Sequence, residues 1–227
     1  MAPKLKGLFT RSLSARVAAA LAAGGTAVLP TDTMYGLHCA AFRAGAVKRI
    51  RALKRRASAS GFILLASDAA MADRLVSRWP GGAKEVLSRV WPAPLTALLP
   101  ARKNLPAALA PRGVVAVRVP RHAALRALIA AVGEPLVSTS ANLAGRRPLS
   151  RIADIERAFP GLDAYVSKRG RTPARPSTIV DFTSGRPTLV RPGSIPWPAG
   201  STGVGRVSVR GKGSNVQSGN PSKRRSR

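Results

Sequence analysis

Cysteine and histidine are scarce in this chain, and their scarcity excludes several kinds of site. Cys39 is the only cysteine among 227 residues, so the chain can form neither an intramolecular disulfide nor a cysteine-rich zinc site. The two histidines, His38 and His122, are too few for a histidine-rich metal centre. We therefore expect no metal bound by the protein itself. A lone cysteine also favours a reducing, cytoplasmic setting.

Long apolar runs are missing as well. No run reaches the roughly 18 residues that a membrane-spanning helix needs, so we expect no membrane protein. The first 16 residues are basic and free of acids, and the small apolar stretch 17–23 follows them, which is a pattern shared with signal and transit peptides. The stretch is mostly alanine, however. We therefore favour a helix over 14–23, ended by two glycines, with residues 1–13 as an N-terminal extension.

Acidic residues are few, and the charge balance is strongly positive. Nine acids face 38 Lys and Arg residues, which gives a formal net charge of +29. Such a charge favours a polyanionic partner such as tRNA or another RNA, a nucleotide or an anionic membrane surface. A genome rich in G and C would raise the arginine and alanine content everywhere, and both explanations stay open.

The composition changes at about residue 199. From there to residue 227 the chain is mostly Gly, Ser, Asn, Lys and Arg, with no acid and few apolar residues. A segment of this kind buries too little apolar surface to offset the entropy lost on ordering, so we predict a disordered basic tail over 199–227. The tail either binds RNA by non-specific electrostatics or is a solvated end without a selected role.

Apolar runs of strand length alternate with helical patterns along residues 14–198. In the helix predicted over 44–54, Val47, Ile50 and Leu53 recur at helical spacing. Such alternation predicts an α/β fold with a twisted, mixed parallel and antiparallel sheet flanked by helices. The predicted strands are 26–29, 62–65, 95–99, 114–119, 135–137, 164–166, 178–180 and 188–190, and the predicted helices are 44–54, 69–78, 83–90, 122–131 and 151–159.

Polar side chains follow several of these strands, where ligands of open α/β sheets bind. The string PTDTMYGL at residues 30–37 offers the hydroxyls of Thr31 and Tyr35, although taken alone it is typical of a turn capped by Asp32. The string STSAN at residues 138–142 offers hydroxyls and an amide without a carboxylate that would repel phosphates. It could also be the N-cap of a helix, and the two roles are compatible.

Cations occupy two informative positions. Arg118 interrupts the apolar strand 114–119 and must find an anion, because an unpaired buried charge is costly. That anion is either one of the nine acids or a ligand. Lys54, Arg55 and Arg56 end a predicted helix, where they either complement the helix dipole or bind a triphosphate.

Six strings, taken in order, resemble the YrdC/Sua5 family of threonylcarbamoyl-AMP synthases. They are PTDTMYGL (30–37), KRR (54–56), VRVP (117–120), STSAN (138–142), PSTIVD (176–181) and RPG (191–193). The resemblance covers about residues 14–196 and is nearest to the short bacterial form. It implies a YrdC-like catalytic domain over 14–198 with a concave basic cavity.

The resemblance also implies the roles of individual residues. The implied ATP-binding residues are Lys54, Arg56, Ser140, Asn142 and Arg191. The implied threonine-binding residues are Thr31, Tyr35, Arg118 and Ser177. Lys54 and Arg56 would be catalytic by stabilising charge on the phosphates, and Mg²⁺ would be carried mainly by ATP.

The implied activity is that of a nucleotidyltransferase. It would make L-threonylcarbamoyladenylate from L-threonine, bicarbonate or CO2, and ATP, with release of pyrophosphate. The product would serve the formation of N6-threonylcarbamoyladenosine in tRNA, with downstream tRNA-modification proteins as partners. Two alternatives stay open: a non-catalytic RNA-binding paralogue acting in ribosome or tRNA maturation, and carbamoyl-adenylate chemistry on the same fold. Threonine-dependent adenylate formation without RNA would separate all three.

Overall fold

A single mixed sheet organises the chain. The structure is a computed structural model that describes residues 4–54, 61–142, 146–168 and 175–197. Over these residues ten strands form one sheet in the order β1-β8-β2-β3-β7-β4-β6-β5-β9-β10. The strands are β1 (Leu5–Leu8), β2 (Thr26–Pro30), β3 (Tyr35–Ala40), β4 (Ile63–Leu65), β5 (Leu95–Pro100), β6 (Val114–Arg118), β7 (Leu136–Ser140), β8 (Ala164–Ser167), β9 (Thr178–Asp181) and β10 (Thr188–Arg191).

Six α-helices and one short 3-10 turn (Pro111–Gly113) accompany the sheet in the described part of the chain. The helices are α1 (Arg11–Ala22), α2 (Ala44–Leu53), α3 (Ala69–Asp73), α4 (Ala83–Val90), α5 (Ala123–Val132) and α6 (Ile152–Ala158). Helix α1 packs against α5, and α2 packs against β3. Among the helices described here, none has both the length and the apolar character needed to cross a bilayer.

The ends of the helices follow from local side-chain chemistry. Thr10 precedes α1 and accepts a hydrogen bond from the backbone N–H of Leu13, and Asp68 caps α3 in the same way through Met71. His122 caps α5 with its Nδ1 atom, which accepts from the N–H of Leu125 at 3.2 Å. These caps satisfy N–H groups that the first helical turn would otherwise leave unpaired.

The predicted mixed α/β sheet is confirmed, and parallel and antiparallel pairs occur side by side. All eight predicted strands are present, with ends that differ by a few residues. The helix predicted over 69–78 is too long, because it ends at Asp73. Beyond that residue the chain turns to the sheet, where Val76 forms an antiparallel bridge with Ala101.

Two strands were missed in the sequence. The strand β3 is central and buried along its whole length, but Gly36 and the polar residues before it resemble a loop. The strand β1 pairs in parallel with β8, so the sheet begins at Leu5. The prediction of an extension over 1–13 is therefore wrong for the described residues from Leu5 onward. The helix expected over 14–23 begins at Arg11. Residues 1–3 and the predicted tail 199–227 lie outside the described residues.

His38 and Cys39, on β3, are both fully buried, as expected for packing residues. The imidazole of His38 occupies the space beside Gly36, where an added Cβ would lie 2.6 Å from its Nε2 atom. Neither ring nitrogen makes a hydrogen bond of acceptable geometry with the described residues. Burial, with a smaller contribution from the charge of Arg118, lowers the pKa of His38 from 6.5 to about 3.

The buried imidazole predicts a pH dependence of folding. Because its pKa is lower in the folded than in the unfolded chain, the unfolded chain binds the additional proton between pH 6.5 and about 3. As the pH drops through that window, His38 should therefore lower the free energy of unfolding by up to about 1.4 kcal/mol per pH unit. Above pH 6.5, His38 is neutral in both states and does not lower the free energy of unfolding.

Urea unfolding of the wild type and of His38→Leu at pH 7.5, 5.5 and 4.5 measures this contribution. The variant cannot take up the proton, so its stability should decline less on acidification. His38→Gln provides a second uncharged variant if the leucine packs poorly. Parallel pH dependences in all three proteins would contradict the assignment.

Candidate active site

The register of the sheet places residues of four adjacent strands on one face, among them two serines of β7 and Arg118 of β6. Ile63 on β4 lies opposite Ser138 on β7 and Ala116 on β6, so these three share a face. Two residues further along these strands, Ser140 lies opposite Gly36 of β3, and Arg118 lies at the end of β6 on the same face. Because β6 and β7 run in opposite directions, Arg118 and Ser140 lie towards opposite ends of this face, with the row of Ile63, Ser138 and Ala116 between them.

A cavity of about 620 Å³ opens over this face. This volume lies within the usual range of small-molecule sites. Its described lining contains two arginines and several hydroxyl residues, and no acidic residue. Among the predicted site residues, the lining contains Thr31, Tyr35, Arg118, Ser140, Ser177 and Arg191. The structure thus brings together residues separated by as many as 160 positions.

Lys54, at the end of α2, is joined to the end of β7. Its Nζ atom donates to the backbone oxygens of Ser140 at 2.9 Å and Asn142 at 2.6 Å, and to Oδ1 of Asn142 at 2.6 Å. These contacts use the three donors of an ammonium group. Lys54 is nearly buried and does not line the described cavity, so contact with a phosphate requires it to exchange one of these partners.

Asn142 has a defined orientation in the same cluster. Its Oδ1 accepts from Lys54 and from the hydroxyl of Ser140, and its Nδ2 donates to the backbone oxygen of Arg146 at 2.8 Å. Three of the five residues predicted to bind ATP are therefore in mutual contact. Arg56, the other predicted catalytic residue, lies outside the described residues.

The hydroxyl of Thr31 is used within its own turn. It donates to the backbone oxygen of Met34 at 2.7 Å and accepts from the backbone N–H groups of Thr33 and Met34 at 3.1 and 3.2 Å. It also lies 2.9 Å from the hydroxyl of Thr33. Thr31 lines the cavity and its hydroxyl stabilises the turn between β2 and β3, and its contact with threonine stays a prediction.

Arg118 has an acidic partner within the protein. Its Nη2 atom lies 3.2 Å from Oδ1 of Asp32, and its Nη1 donates to Thr33 at 3.3 Å. Burial lowers the pKa of Arg118, the Asp32 carboxylate opposes this change, and the charge of Arg191 adds to it. Two positive groups consequently face the cavity, with one buried carboxylate close to them.

Arg191 and Ser177 also line the cavity and contact each other. The Nη2 atom of Arg191 donates to the backbone oxygen of Ser177 at 2.9 Å, and the hydroxyl of Ser177 lies 2.8 Å from that of Thr96. Burial lowers the pKa of Arg191. The Nε atoms of Arg191 and Arg118 are both buried without a hydrogen bond to the described residues. Each guanidinium thus has one buried donor without a partner among the described residues.

Tyr35 contributes a buried wall of the cavity, and its hydroxyl accepts a hydrogen bond from the backbone N–H of Lys168 at 3.3 Å. Sequence reasoning missed two residues of this region as site residues. Thr33 lines the cavity, and Asp32 had been interpreted only as a turn cap. The sequence did contain an indication that Asp32 pairs with Arg118, because a buried arginine needs an anion and acids are rare in this chain.

Comparisons with known proteins agree with this geometry. Residues 19–193 match the family model of Sua5, YciO and YrdC proteins, which is described as "Telomere recombination". The chain belongs to this family. It is 38% identical over 187 residues to the threonylcarbamoyl-AMP synthase of Chromobacterium violaceum, covering 81% of this chain and 94% of that protein. The threonylcarbamoyl-AMP synthase of Halorhodospira halophila is 39% identical over 179 residues, covering 78% of this chain and 94% of the relative.

Solved structures of the family share the fold. P. abyssi Sua5 complexed with L-threonine is similar with a TM-score of 0.78 and 28% identity, over 85% of this chain and 57% of that one. This chain thus spans little more than half of the P. abyssi protein. E. coli YciO is similar with a TM-score of 0.74 and 26% identity, over 81% of this chain and 90% of that one.

Close packing explains why the string RPG (191–193) has a glycine at its third position. A Cβ atom at Gly193 would lie 2.4 Å from backbone atoms of Ser177 and Thr178, and backbone cannot yield as a flexible side chain can. We expect Gly193→Ala to displace Arg191 from Ser177 and to destabilise the fold by about 1–3 kcal/mol through overpacking.

Thermal unfolding and urea titration measure this effect, and Gly45→Ala is the matched control. Nothing lies within 4 Å of a Cβ atom at Gly45, which is inside α2. That substitution should stabilise the protein by about 0.5–1 kcal/mol, because alanine is the better helix former. Equal stabilities of Gly193→Ala and the wild type would contradict the close packing described here.

Proposed function

We propose that this protein synthesises L-threonylcarbamoyladenylate from L-threonine, bicarbonate or CO2, and ATP, with release of pyrophosphate. The main support is the cavity lined by Arg118 and Arg191 without an acidic residue in its described lining. Threonylcarbamoyl-AMP synthases are the relatives at 38–39% identity. They favour this activity over a non-catalytic RNA-binding role.

The cavity has two parts that suit the two substrates. Arg118 and Ser177 both line the cavity, and we propose that Arg118 pairs with the carboxylate of threonine there. Ser140 also lines the cavity, and we propose that it binds the nucleotide together with Lys54 and Asn142, which contact it outside the described lining, and with Arg191 and Arg56. The reaction does not require a side-chain nucleophile, and we assign that role to no residue.

In the proposed reaction the amino group of threonine attacks CO2 and loses a proton, which forms a carbamate. A carbamate oxygen then attacks the α-phosphorus of ATP, the bond to the β-phosphate oxygen breaks, and pyrophosphate leaves. This chemistry makes the protein a nucleotidyltransferase. The contribution of the protein is to hold the two reactants in line and to stabilise negative charge on the phosphates.

We propose that Mg²⁺ enters with ATP. The described residues contain no group of three or more His, Cys, Asp or Glu side chains that could hold a metal ion. Phosphate oxygens and water are ligands that Mg²⁺ accepts readily. The residues present therefore do not fit a resident metal, and we assign none of them to the ion.

The product would serve tRNA modification, with tRNA or downstream modification proteins as partners. The net charge of +29 supports contact with RNA. We also propose a cytoplasmic setting, which suits a protein that acts in tRNA modification.

A direct assay tests the activity. The purified protein, incubated with ATP, bicarbonate and L-threonine without RNA, should give the threonylcarbamoyladenylate by mass spectrometry and an equal amount of pyrophosphate. Omitting threonine should abolish both products. Absence of product under conditions in which the C. violaceum relative is active would refute the proposal.

A second experiment addresses the residues predicted to act on the phosphates. Lys54→Ala and Arg56→Ala should each raise the barrier for pyrophosphate release by about 2–4 kcal/mol, since each removes a charge-assisted contact. Lys48→Ala is the matched control, because Lys48 is an exposed lysine of the same helix as Lys54. Its rate should equal that of the wild type. Wild-type rates in the other two variants would remove their catalytic roles.

A further inference from the structure

The turn between β2 and β3 holds the guanidinium of Arg118 at two points. Asp32 and Thr33, adjacent in sequence, contact its Nη2 and Nη1 atoms at 3.2 and 3.3 Å. The second carboxylate oxygen of Asp32 accepts a hydrogen bond from the backbone N–H of Arg121 at 2.9 Å. We call this pair of residues the Asp32–Thr33 clamp. It joins the turn both to the side chain at the end of β6 and to the segment that follows β6.

The hydroxyl hydrogens in the clamp have a defined direction. The backbone oxygen of Met34 can only accept, so the hydrogen of Thr31 is used in the bond to Met34. In the contact between the two hydroxyls, Thr33 must then be the donor. Its oxygen is left as an acceptor, and this is the atom that Arg118 contacts. The orientation of the guanidinium is thus linked through two hydroxyls to the backbone of the turn.

Burial makes this arrangement costly to change. The side chains of Arg118 and Asp32 are 4% and 8% exposed, so neither can replace its partner with bulk water. Neither the Nε atom of Arg118 nor the Oδ1 atom of Asp32 has a hydrogen bond to the described residues, so the contact between Nη2 and Asp32 is an ion pair. This ion pair and the hydrogen bond from Nη1 to Thr33 restrict the orientation of the guanidinium at the cavity wall.

We infer that Asp32 and Thr33 are positioning residues that orient Arg118 for the substrate carboxylate. This inference rests on the proposed function, in which Arg118 binds the carboxylate of threonine. The clamp contacts Arg118 from within the protein and needs no contact with the substrate. A guanidinium held at a fixed angle recognises a planar carboxylate better than a freely rotating one, because less rotational freedom is lost on binding.

Thr33→Val tests the clamp without changing any charge. It should weaken binding of L-threonine roughly tenfold, since a hydrogen bond to a charged group is lost, and leave the affinity for ATP unchanged. Thr33→Ser keeps the hydroxyl and should restore threonine binding. Isothermal titration calorimetry with the full chain measures both affinities, and L-threoninamide, which lacks the carboxylate, is the comparison ligand. The preference of the wild type for threonine over threoninamide should shrink in Thr33→Val.

Asp32→Asn removes the charge of the clamp and keeps its shape. We expect threonine binding to weaken at least as much as in Thr33→Val, that is, roughly tenfold or more. Asp163→Asn is the matched control, because Asp163 also accepts a backbone N–H, from Thr26 at 2.7 Å, and pairs with an arginine, Arg49, at 2.9 Å. Asp163 does not line the cavity. Its variant should keep the threonine affinity of the wild type even where its thermal stability falls.

The outcomes separate this inference from the proposed function. If the wild type does not bind threonine or form the adenylate, the proposed function fails. If the wild type does both, and Thr33→Val binds threonine as tightly as the wild type, the clamp is overturned. Tighter threonine binding by Asp32→Asn would show that Asp32 competes with the substrate, and would overturn it too. The Thr33 variants decide the matter if Asp32→Asn does not fold.

Discussion

The buried guanidinium of Arg118 determines which groups surround it at the centre of this protein. Arg118 ends a central strand of an otherwise apolar sheet and is almost fully buried, so its charge has to be compensated locally. Asp32 provides the compensation across the turn between β2 and β3, and Thr33 completes it. Arg191, whose charge disfavours that of Arg118, lines the same cavity. The single carboxylate therefore leaves an excess of positive charge, which an anionic substrate can balance.

Close packing at two glycines and the hydrogen bonds of one lysine stabilise the arrangement around the cavity. Gly36 leaves room for the imidazole of His38 at the cavity face, and Gly193 lets the strand end at Arg191 approach the backbone of Ser177. Lys54 joins α2 to the end of β7 through Ser140 and Asn142. The contacts of Gly193 and Lys54 link separate segments of the chain. The cavity consequently depends on the register of the whole sheet rather than on a single loop.

Much of the fold could be predicted because local patterns reflect it. Apolar runs identified eight strands, and helical spacing identified α2, α4, α5 and α6 closely. The strand β3 was missed since its glycine and polar residues resemble a turn, and pairing on both sides overrides that weak preference. The helix α3 was predicted too long, because the pairing of Val76 with Ala101 competes with continuation of the helix.

The amino-acid sequence alone determined the family, the order of the motifs and the need for an anion near Arg118. These follow from residue types and spacing, which are local properties of the chain. Only the tertiary structure decided that Asp32 is this partner, that Thr31 is used within its turn and that Lys54 is surrounded by three oxygen atoms. Hydrogen-bond partners depend on distances of a few ångströms between distant segments, and those distances arise only when the strands pair in register.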